Sequence, residues 1–306
     1  MRRPRTFLLG FVLAALLAGC GGGGGGGGKI TIGLALSTLQ NPFFVTIRDA
    51  ARQAASSRDA TLQISDGRDD ASKQVNDIQD MITRGVDVLI INPVDSDAVV
   101  TSVKAANDAD IPVITVDRAA NGGDVASHIA SDNVSGGKQA AEYLFKQLGG
   151  NGTVAELEGI PGTSAARDRG KGFQQALSGA SGIKLVSKQT ANFDRNQGFN
   201  VAQNIFQANP DLDGLFAQND EMALGAVRAA KQEGKNVKIM GFDAIPDAIK
   251  AIEAGDMVGT IAQQPALMGK RSVETAIKIA DDESVPKTQP VPIKLVTKAN
   301  AAQFGG

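Results

Sequence analysis

Residues 30–44, ITIGLALSTLQNPFF, contain a strand-like run followed by a helix start. Apolar residues at alternate positions up to Leu36 predict a strand with one half-buried face. Asn41 and Pro42 predict the first turn of a helix, because an Asn side chain caps free backbone N–H groups and the fixed backbone of proline suits that turn. The two phenylalanines that follow either pack into the core or form one wall of a small-molecule cleft. This stretch alone favours the core.

The same alternation of strand and helix continues along the chain. Apolar strand-like runs lie at 88–91, 113–116, 154–157, 185–186, 215–217, 237–240 and 258–262, with amphipathic helical stretches between them. This order predicts parallel sheets with helices on both faces, which also explains why the inner strands are apolar throughout. Nine or more such units exceed one comfortable open sheet. We therefore expect an α/β fold with two similar lobes, each a parallel sheet flanked by helices.

Composition limits the classes of function. A chain of 306 residues suggests about two domains. The formal net charge is −2, and no block of basic residues occurs after the first five positions. A nucleic-acid-binding surface needs clustered Lys and Arg, so this class is excluded.

The amino terminus has the pattern of an export signal. Arg2, Arg3 and Arg5 precede an apolar run at 7–17 that is shorter than a comfortable membrane span. The residues LAGC at 17–20 resemble the lipobox of bacterial lipoproteins. We expect a signal peptide at 1–19, a lipidated Cys20, and a protein exported to the cell envelope and held on a bacterial membrane by that lipid alone. An uncleaved anchor and a plain secretory signal are the alternatives.

Eight consecutive glycines follow Cys20, which is also the only cysteine, so a disulfide within the chain is excluded. A glycine chain of this length is a flexible coil with a typical end-to-end distance of roughly 15 Å. We interpret residues 20–28 as a lipidated tether. An engineered linker is the alternative.

Polar side chains follow nearly every predicted strand. Open parallel sheets bind ligands outside the carboxyl ends of their strands. The residues at these ends are Asn41, Asn92, Asp117, Arg118, the segment 163–169, the segment 192–194, Asn219, Asp243 and Gln263. Each could instead be a turn or helix cap, and that is our interpretation of Asp95, Asp97 and Asp220. Asp66, Arg68, Asp69 and Asp70 are interpreted as a solvated loop. Eight strand ends with this chemistry predict one shared cleft.

The residue types in this cleft suit a neutral polyol. Carboxylates and guanidiniums can each make two hydrogen bonds to neighbouring hydroxyl groups, and amides both donate and accept. The two acids, Asp117 and Asp243, balance the charges of Arg118 and Arg169. Phenylalanine rings offer flat faces for the C–H surface of a sugar ring. The pattern indicates a monosaccharide site with apolar walls.

Six segments carry a resemblance to a known family. They are STLQNPFF at 37–44, INPVDSD at 91–97, VDR at 116–118, SHIASDN at 127–133, GTSAARDRG at 162–170 and FAQNDEM at 216–222. The chain resembles the periplasmic sugar-binding proteins over residues 29–298, above all the members that bind D-ribose. The resemblance implies a site formed by Asn41, Phe43, Phe44, Asn92, Asp117, Arg118, Arg169, Phe193, Asn219, Asp243 and Gln263. It implies no cofactor and no metal.

The resemblance also implies a mechanism and partners. The two lobes would be joined by three crossovers near 131–132, 263–264 and 292–293. Lobe one would comprise 29–131 with 264–292, and lobe two 132–263 with 293–306. The closed, sugar-loaded monomer would dock on an ABC permease with its cytoplasmic ATPase, and a chemoreceptor would be a further partner. The best-known members of the family diffuse freely, whereas Cys20 indicates a tethered one.

Three rival functions remain. Asp117 and Asp243 could act as the acid and base of a glycosidase, but each has an evident role in binding hydroxyl groups. His128, the only histidine, lies in an apolar strand segment and is predicted to be structural. A transcriptional sensor domain would need a basic DNA-binding module in front, where the export signal stands. The third rival is the same binding role for another sugar, such as allose, another pentose or a furanose signalling molecule.

Overall fold

The computed structural model describes residues 29–304. The predicted signal peptide, the lipidated Cys20 and the glycine tether therefore lie outside the described residues. Among residues 29–304, no helix has both the length and the apolar character needed to cross a bilayer.

The described chain alternates strands and helices throughout. The strands are β1 (Thr31–Leu36), β2 (Thr61–Asp66), β3 (Val88–Ile91), β4 (Val113–Val116), β5 (Ser127–Ser131), β6 (Gly152–Glu158), β7 (Ile183–Thr190), β8 (Gly214–Ala217), β9 (Lys238–Asp243), β10 (Gly259–Ala262), β11 (Thr288–Val291) and β12 (Lys294–Thr297). The helices are α1 (Pro42–Ser57), α2 (Ala71–Thr83), α3 (Val100–Asp108), α4 (Asn133–Gln147), α5 (Ser164–Ser178), α6 (Arg195–Ala208), α7 (Asp220–Gln232), α8 (Pro246–Ala254) and α9 (Pro265–Ala280). A short 3-10 helix covers Ala301–Gln303.

The strands form two six-stranded sheets. The first has the order β11-β5-β4-β3-β1-β2 and the second β12-β10-β9-β8-β6-β7. Helices α1, α2, α3 and α9 pack on the first sheet and on one another, and α4 to α8 do so on the second. We call these units the first and second lobes. The predicted fold of two α/β lobes is confirmed, with one addition: β12 joins β10 antiparallel at the edge of the second sheet.

The chain passes between the two sheets three times. The first passage follows β5, the second follows β10, and the third separates β11 from β12. Each is a connection of only one or two residues between regular elements. The crossover positions expected from the resemblance fall in these connections, and their action as a hinge stays a prediction.

The inner strands and the helix starts explain why these segments adopt these elements. The four residues of β3 and of β4 are all buried, because helices cover both faces of the sheet. Six helices begin with a side-chain cap, and the capping residues are Asn41, Asp70, Asp132, Thr163, Asp194 and Asn219. At the first of these, Asn41 Oδ1 accepts a 2.9 Å hydrogen bond from the N–H of Phe43, so the predicted helix start is confirmed. The carboxyl ends of the strands and the capped helix starts therefore meet at one edge of each sheet.

Candidate ligand-binding site

A small pocket lies between the two lobes at the carboxyl ends of the strands. It is lined by Asn41, Phe43, Phe44, Asp117, Arg118, Ala165, Arg169, Phe193, Asn219, Asp243 and Gln263. All of these except Ala165, in the first turn of α5, belong to the set expected from the sequence. These residues border about 250 Å³ of space free of protein atoms, part of it open to solvent.

The acids and guanidiniums of the pocket are held close together without saturating one another. Arg118 Nε lies 3.8 Å from Asp117 Oδ2, and Arg169 Nη1 lies 3.8 Å from Asp243 Oδ1. Both arginines are 3% exposed. Each pair is too far apart for a good hydrogen bond, so neither acid is bonded to its neighbouring guanidinium although the charges lie close together.

Three polar atoms at the pocket have no hydrogen-bond partner among residues 29–304. They are Asp117 Oδ1, Arg118 Nε and Gln263 Oε1, and each is buried. A buried polar atom without a partner costs free energy, so such atoms are rare and call for an explanation. Two acceptors and one donor facing a small space are what a ligand with hydroxyl groups would satisfy.

Burial changes the ionisation of these groups. It raises the pKa of Asp243 to about 7, although the Arg169 guanidinium opposes this shift. Burial likewise raises the pKa of Asp117, against the opposing effect of Arg118. Burial lowers the pKa of both guanidiniums, and the neighbouring carboxylates counteract it. Burial thus disfavours the charged form of both acids and both guanidiniums, and the opposite charges beside them offset part of that effect.

Three pocket residues have backbone conformations that non-glycine residues seldom adopt. The φ angles of Asp117, Phe193 and Asp243 are 63°, 59° and 126°. Such conformations cost on the order of 1–3 kcal/mol each and cluster at functional sites, where the surrounding structure imposes them. Here they occur where the chain leaves a strand, at the pocket wall.

Aromatic rings flank both guanidiniums. The guanidinium carbon of Arg118 lies 5.1 Å from the ring centre of Phe44, in the same lobe, and 5.3 Å from that of Phe193, in the other lobe. Phe43 and Phe44 are each 4% exposed, and their rings meet edge to face at 5.3 Å. The two interpretations of these phenylalanines therefore both hold, because the rings are core residues that also line the pocket.

Phe242 is an aromatic residue that the sequence did not single out. The guanidinium carbon of Arg169 lies 3.9 Å from its ring centre. Phe242 is a fully buried residue of β9 just before Asp243. In the sequence it is indistinguishable from a core residue, since only the packed structure shows which ring supports the arginine.

Asn92 is the one member of the expected set that does not line the pocket. Its Nδ2 donates to Asp117 Oδ2 at 3.2 Å and to the Val116 carbonyl at 3.1 Å, and its Oδ1 accepts from the N–H of Ser37 at 3.2 Å. The amide is consumed by these three bonds behind the wall. Asn92 therefore orients Asp117, and its own contact with a ligand stays a prediction.

The two lobes also touch each other beside the pocket. Ser96 N donates to the Gly162 carbonyl at 3.0 Å, Ala119 N donates to Ser164 Oγ at 2.8 Å, and Arg167 Nη2 donates to Asn121 Oδ1 at 3.0 Å. We call these six residues the interlobe clasp. A Cβ on Gly162 would overlap the carboxylate of Asp95 in the other lobe, so a larger residue here would displace that side chain. The lobes are thus closed around the pocket.

Several other polar residues have structural roles. Asp95 Oδ1 accepts from the N–H groups of Asp97 and Ala98 at 2.9 and 2.7 Å, as a turn cap does. The interpretation of Asp220 as a cap is wrong. Its buried carboxylate accepts from Thr260 Oγ1 at 2.7 Å and from the N–H of Ile245 at 3.0 Å, which ties α7 to β10 and to the segment after β9.

The interpretation of residues 66–70 as a plain solvated loop is partly wrong. Asp66 ends β2 and accepts from the N–H groups of Leu39 and Arg68. Asp70 caps α2, whereas Arg68 and Asp69 are exposed. Asp69 lines a second depression at the cleft rim together with Arg118. Local capping thus uses two of these four side chains.

His128, the only histidine of the chain, lies outside the pocket. His128 Nδ1 is 2.8 Å from Thr115 Oγ1 on the neighbouring strand, and the residue does not line the pocket. Within residues 29–304, no three His, Cys, Asp or Glu side chains are grouped so that they could hold a metal ion.

Comparisons with protein families and with known proteins found the following similarities. Residues 32–284 match the family described as the periplasmic binding protein domain. The chain is 50% identical over 271 residues to the ribose import binding protein of Escherichia coli K12, covering 88% of this chain and 91% of that one. It is 44% identical over 270 residues to the ribose import binding protein of Bacillus subtilis, covering 88% of each.

A solved structure is also similar to this chain. The periplasmic solute-binding protein of an ABC transporter from Actinobacillus succinogenes 130z, with bound D-allose, superposes with a TM-score of 0.84 at 33% identity. The match covers 90% of this chain and all of that one.

Proposed function

This chain belongs to the periplasmic binding protein family, and we propose that it captures D-ribose between its lobes. It then delivers the sugar to the permease of an ABC importer. Its relatives in that family are substrate-binding proteins of ABC transporters and not enzymes. The observation that carries this proposal is the set of unpartnered buried atoms on Asp117, Arg118 and Gln263, three residues that line the pocket between the lobes. The relatives in Escherichia coli and Bacillus subtilis are ribose import binding proteins.

The proposed roles of the pocket residues follow from their donors and acceptors. The carboxylates of Asp117 and Asp243 accept from ring hydroxyls, and the guanidiniums of Arg118 and Arg169 donate to ring and hydroxyl oxygens. Asn41 donates through Nδ2, Gln263 accepts through Oε1, and Asn219 donates through the second N–H of Nδ2, because their other amide groups are bonded within the protein. The phenylalanines pack against the C–H faces of the sugar.

Lobe closure is the proposed mechanism. In an open form each lobe presents half of the pocket, and a sugar that bridges the halves shifts the population towards the closed form. The three connections near 131–132, 263–264 and 292–293 act as the hinge. Residues 29–131 with 264–292, and 132–263 with 293–306, are the moving units. The closed monomer docks on the permease, and a chemoreceptor is a further proposed partner.

The chain belongs to a family of exported periplasmic proteins, and we propose in addition that a lipid on Cys20 anchors this member. The glycines after Cys20 would let the folded lobes move above the membrane surface. A tether of this kind raises the local concentration of the binding protein at its permease. Mass spectrometry of the protein isolated from membranes would show a mature chain that begins at a diacylated Cys20.

A thermal-shift and calorimetry screen of pentoses and hexoses tests the ligand. We expect D-ribose to bind most tightly and with a stoichiometry of one. A tighter complex with D-allose, the sugar in the structure from Actinobacillus succinogenes, with another pentose or with a furanose would replace ribose as the ligand. Absence of binding to any sugar would refute the proposal.

A further inference from the structure

A buried glutamate and glutamine lie directly behind the pocket wall of the second lobe. Glu156 is in the middle of β6, and Gln218 follows β8; both are 0% exposed. Glu156 Oε1 accepts a 2.8 Å hydrogen bond from Gln218 Nε2. Neither residue lines the pocket. A buried carboxylate is costly, so its presence here calls for a compensating role.

Gln218 connects this carboxylate to two parts of the site. Its Oε1 accepts from the N–H of Gly159 at 2.9 Å, and its backbone carbonyl accepts from Arg169 Nη1 at 2.6 Å. A backbone N–H can only donate, so Oε1 must face Gly159 and Nε2 must face Glu156. With Oε1 held by Gly159, Nε2 donates to Glu156, and the acceptor at position 156 completes the hydrogen bonds that hold the amide.

Gly159 contacts both Gln218 and the aromatic pocket residue Phe193. A Cβ at this position would overlap the ring of Phe193, so the ring packs directly against the Gly159 backbone. The N–H that positions this backbone is the one held by Gln218. The adjoining residue, Asn219, donates from Nδ2 to the Phe193 carbonyl at 3.1 Å. Displacing Gln218 would therefore move three pocket residues together.

Helix α5 packs against the side chains of both Glu156 and Gln218. A Cβ on Gly170 would lie 3.2 Å from Gln218 Nε2 and 3.5 Å from Glu156 Oε1, so the helix backbone approaches both groups closely. Arg169, the preceding residue, is thereby held by its own helix, by the Gln218 carbonyl and by Asn133 Oδ1 at 2.9 Å.

From this geometry we propose that Glu156 and Gln218 are positioning residues of the sugar site, which hold Arg169 and Phe193 in the conformation that grips the ligand. This inference rests on the proposed function for its ligand. It goes beyond the proposed function because it predicts that two residues without contact to the sugar affect the affinity for the sugar.

Two variants break the network from opposite ends, and two serve as controls. Glu156→Leu removes the acceptor, and Gln218→Met removes the amide. Glu156→Gln keeps an acceptor oxygen for Gln218 and is the conservative rescue. Val154→Ala, two residues earlier on β6 and fully buried, creates a cavity in the same strand without touching the network.

The first measurement is calorimetry with D-ribose well below each melting temperature. We expect affinity to fall about tenfold or more in Glu156→Leu and Gln218→Met, because a buried amide and a charged site residue lose their orientation. Affinity should stay within about threefold in Glu156→Gln and Val154→Ala, since their acceptors are intact. Wild-type affinity in Glu156→Leu, or an equal loss in Val154→Ala, would overturn the proposal.

The second measurement needs no ligand. The Nε–H of Arg169, stacked on Phe242 and bonded to Asn133, gives a distinct ¹⁵N–¹H signal, assigned by its loss in Arg169→Lys. We expect this signal to move to the position of exposed arginines in Glu156→Leu and to be kept in Glu156→Gln. An unchanged signal in Glu156→Leu would overturn the proposal, whereas failure of ribose binding in the unsubstituted protein would refute only the proposed ligand. If neither disrupting variant folds, the pair serves the fold rather than the site, and the proposal is likewise overturned.

Discussion

At the scale of single residues, the pocket depends on charges kept out of water. Asp117 and Asp243 are 3% and 6% exposed, and each faces a guanidinium at 3.8 Å rather than within a hydrogen bond. Acceptors that are desolvated but unsaturated bind a hydroxyl strongly, because no water competes for them. Affinity should therefore be concentrated in a few side chains.

Asp117→Ala and Asp243→Ala should each abolish measurable ribose binding without unfolding the chain. Each loses bonds between hydroxyls and a charged group, worth about 1.5–3 kcal/mol apiece, and leaves a guanidinium without its counter-charge. Calorimetry and thermal denaturation check this. Asp80→Ala, on the exposed side of α2, is the matched control and should bind normally. Near-normal affinity in both site variants would contradict the assigned site.

Glu156 should make stability depend on pH. Burial raises its pKa from 4.5 to about 7, opposed by the Gln218 hydrogen bond and by Lys188, and reinforced by Glu158. Lys188 Nζ is 3.9 Å from Glu156 Oε2 but 2.9 Å from Glu158 Oε1, so it serves mainly the latter. The native state therefore holds a proton that the unfolded chain releases near pH 4.5. Stability from this group is present below that pH and is lost as pH rises through about 7.

The expected loss is up to about 3 kcal/mol of unfolding free energy, from 1.36 kcal/mol per unit of pKa. Glu156→Gln cannot titrate and should lack it. Urea unfolding of both proteins at pH 5 and pH 8 isolates this group, because other titrations cancel in the difference between them. A difference in unfolding free energy that is the same at both pH values would show that Glu156 ionises normally in the folded protein.

At the scale of elements, the end of a strand and the start of the next helix share their polar residues. Asn219 Oδ1 caps α7 by accepting from the N–H of Met222 at 2.9 Å, while its Nδ2 bonds to the Phe193 carbonyl at the pocket wall. Thr163 caps α5 two residues before pocket residue Ala165. The ambiguity between cap and ligand contact at these positions is real, because one side chain can serve as both.

Two caps should separate stability from binding. Asp70→Ala and Asn219→Ala each remove a helix cap, which costs about 1 kcal/mol of unfolding free energy. Asp70 Oδ1 accepts from the N–H of Lys73 in the first lobe and does not line the pocket. We expect only Asn219→Ala to lose ribose affinity. Equal affinities in the two variants by calorimetry, at similar losses of stability, would reduce Asn219 to a cap.

At the scale of the whole molecule, the two lobes contact each other directly, through hydrogen bonds in which the ligand takes no part. The interlobe clasp joins the loops after β3 and β4 to the first turn of α5 and to Gly162 just before it. Bonds made only in the closed form shift the equilibrium towards closure and raise apparent affinity, since affinity scales with the competent fraction. We therefore expect the interlobe clasp to contribute to the apparent affinity from outside the pocket.

Ser164→Ala and Arg167→Ala should therefore weaken ribose binding by roughly two- to tenfold, the value of one hydrogen bond. Without sugar, small-angle scattering should show a larger radius of gyration than for the unsubstituted protein. Arg84→Ala, an exposed arginine after α2, is the control. Unchanged affinity and unchanged scattering in both variants would mean that the clasp contributes nothing to closure.

The sequence predicts local elements of the fold better than it predicts contacts between distant segments. Strands at 88–91 and 113–116 coincide with β3 and β4, and Asn41 caps α1, because apolar periodicity and capping act over a few residues. The antiparallel pairing of β12 and the tie from Asp220 to Thr260 depend on segments about 40 residues apart, and no local pattern signals them.

The sequence alone determined two α/β lobes, the strand ends that bear polar residues, and the chemical class of the ligand that these residues suit. Only the tertiary structure decided that Asn92 stands behind Asp117, that Phe242 supports Arg169, and that Glu156 is buried behind the wall. The physical reason is that a side chain's role at a strand end depends on which neighbour comes within hydrogen-bonding or packing distance. That neighbour is supplied by another strand or by the other lobe, and its position exists only once the chain is folded.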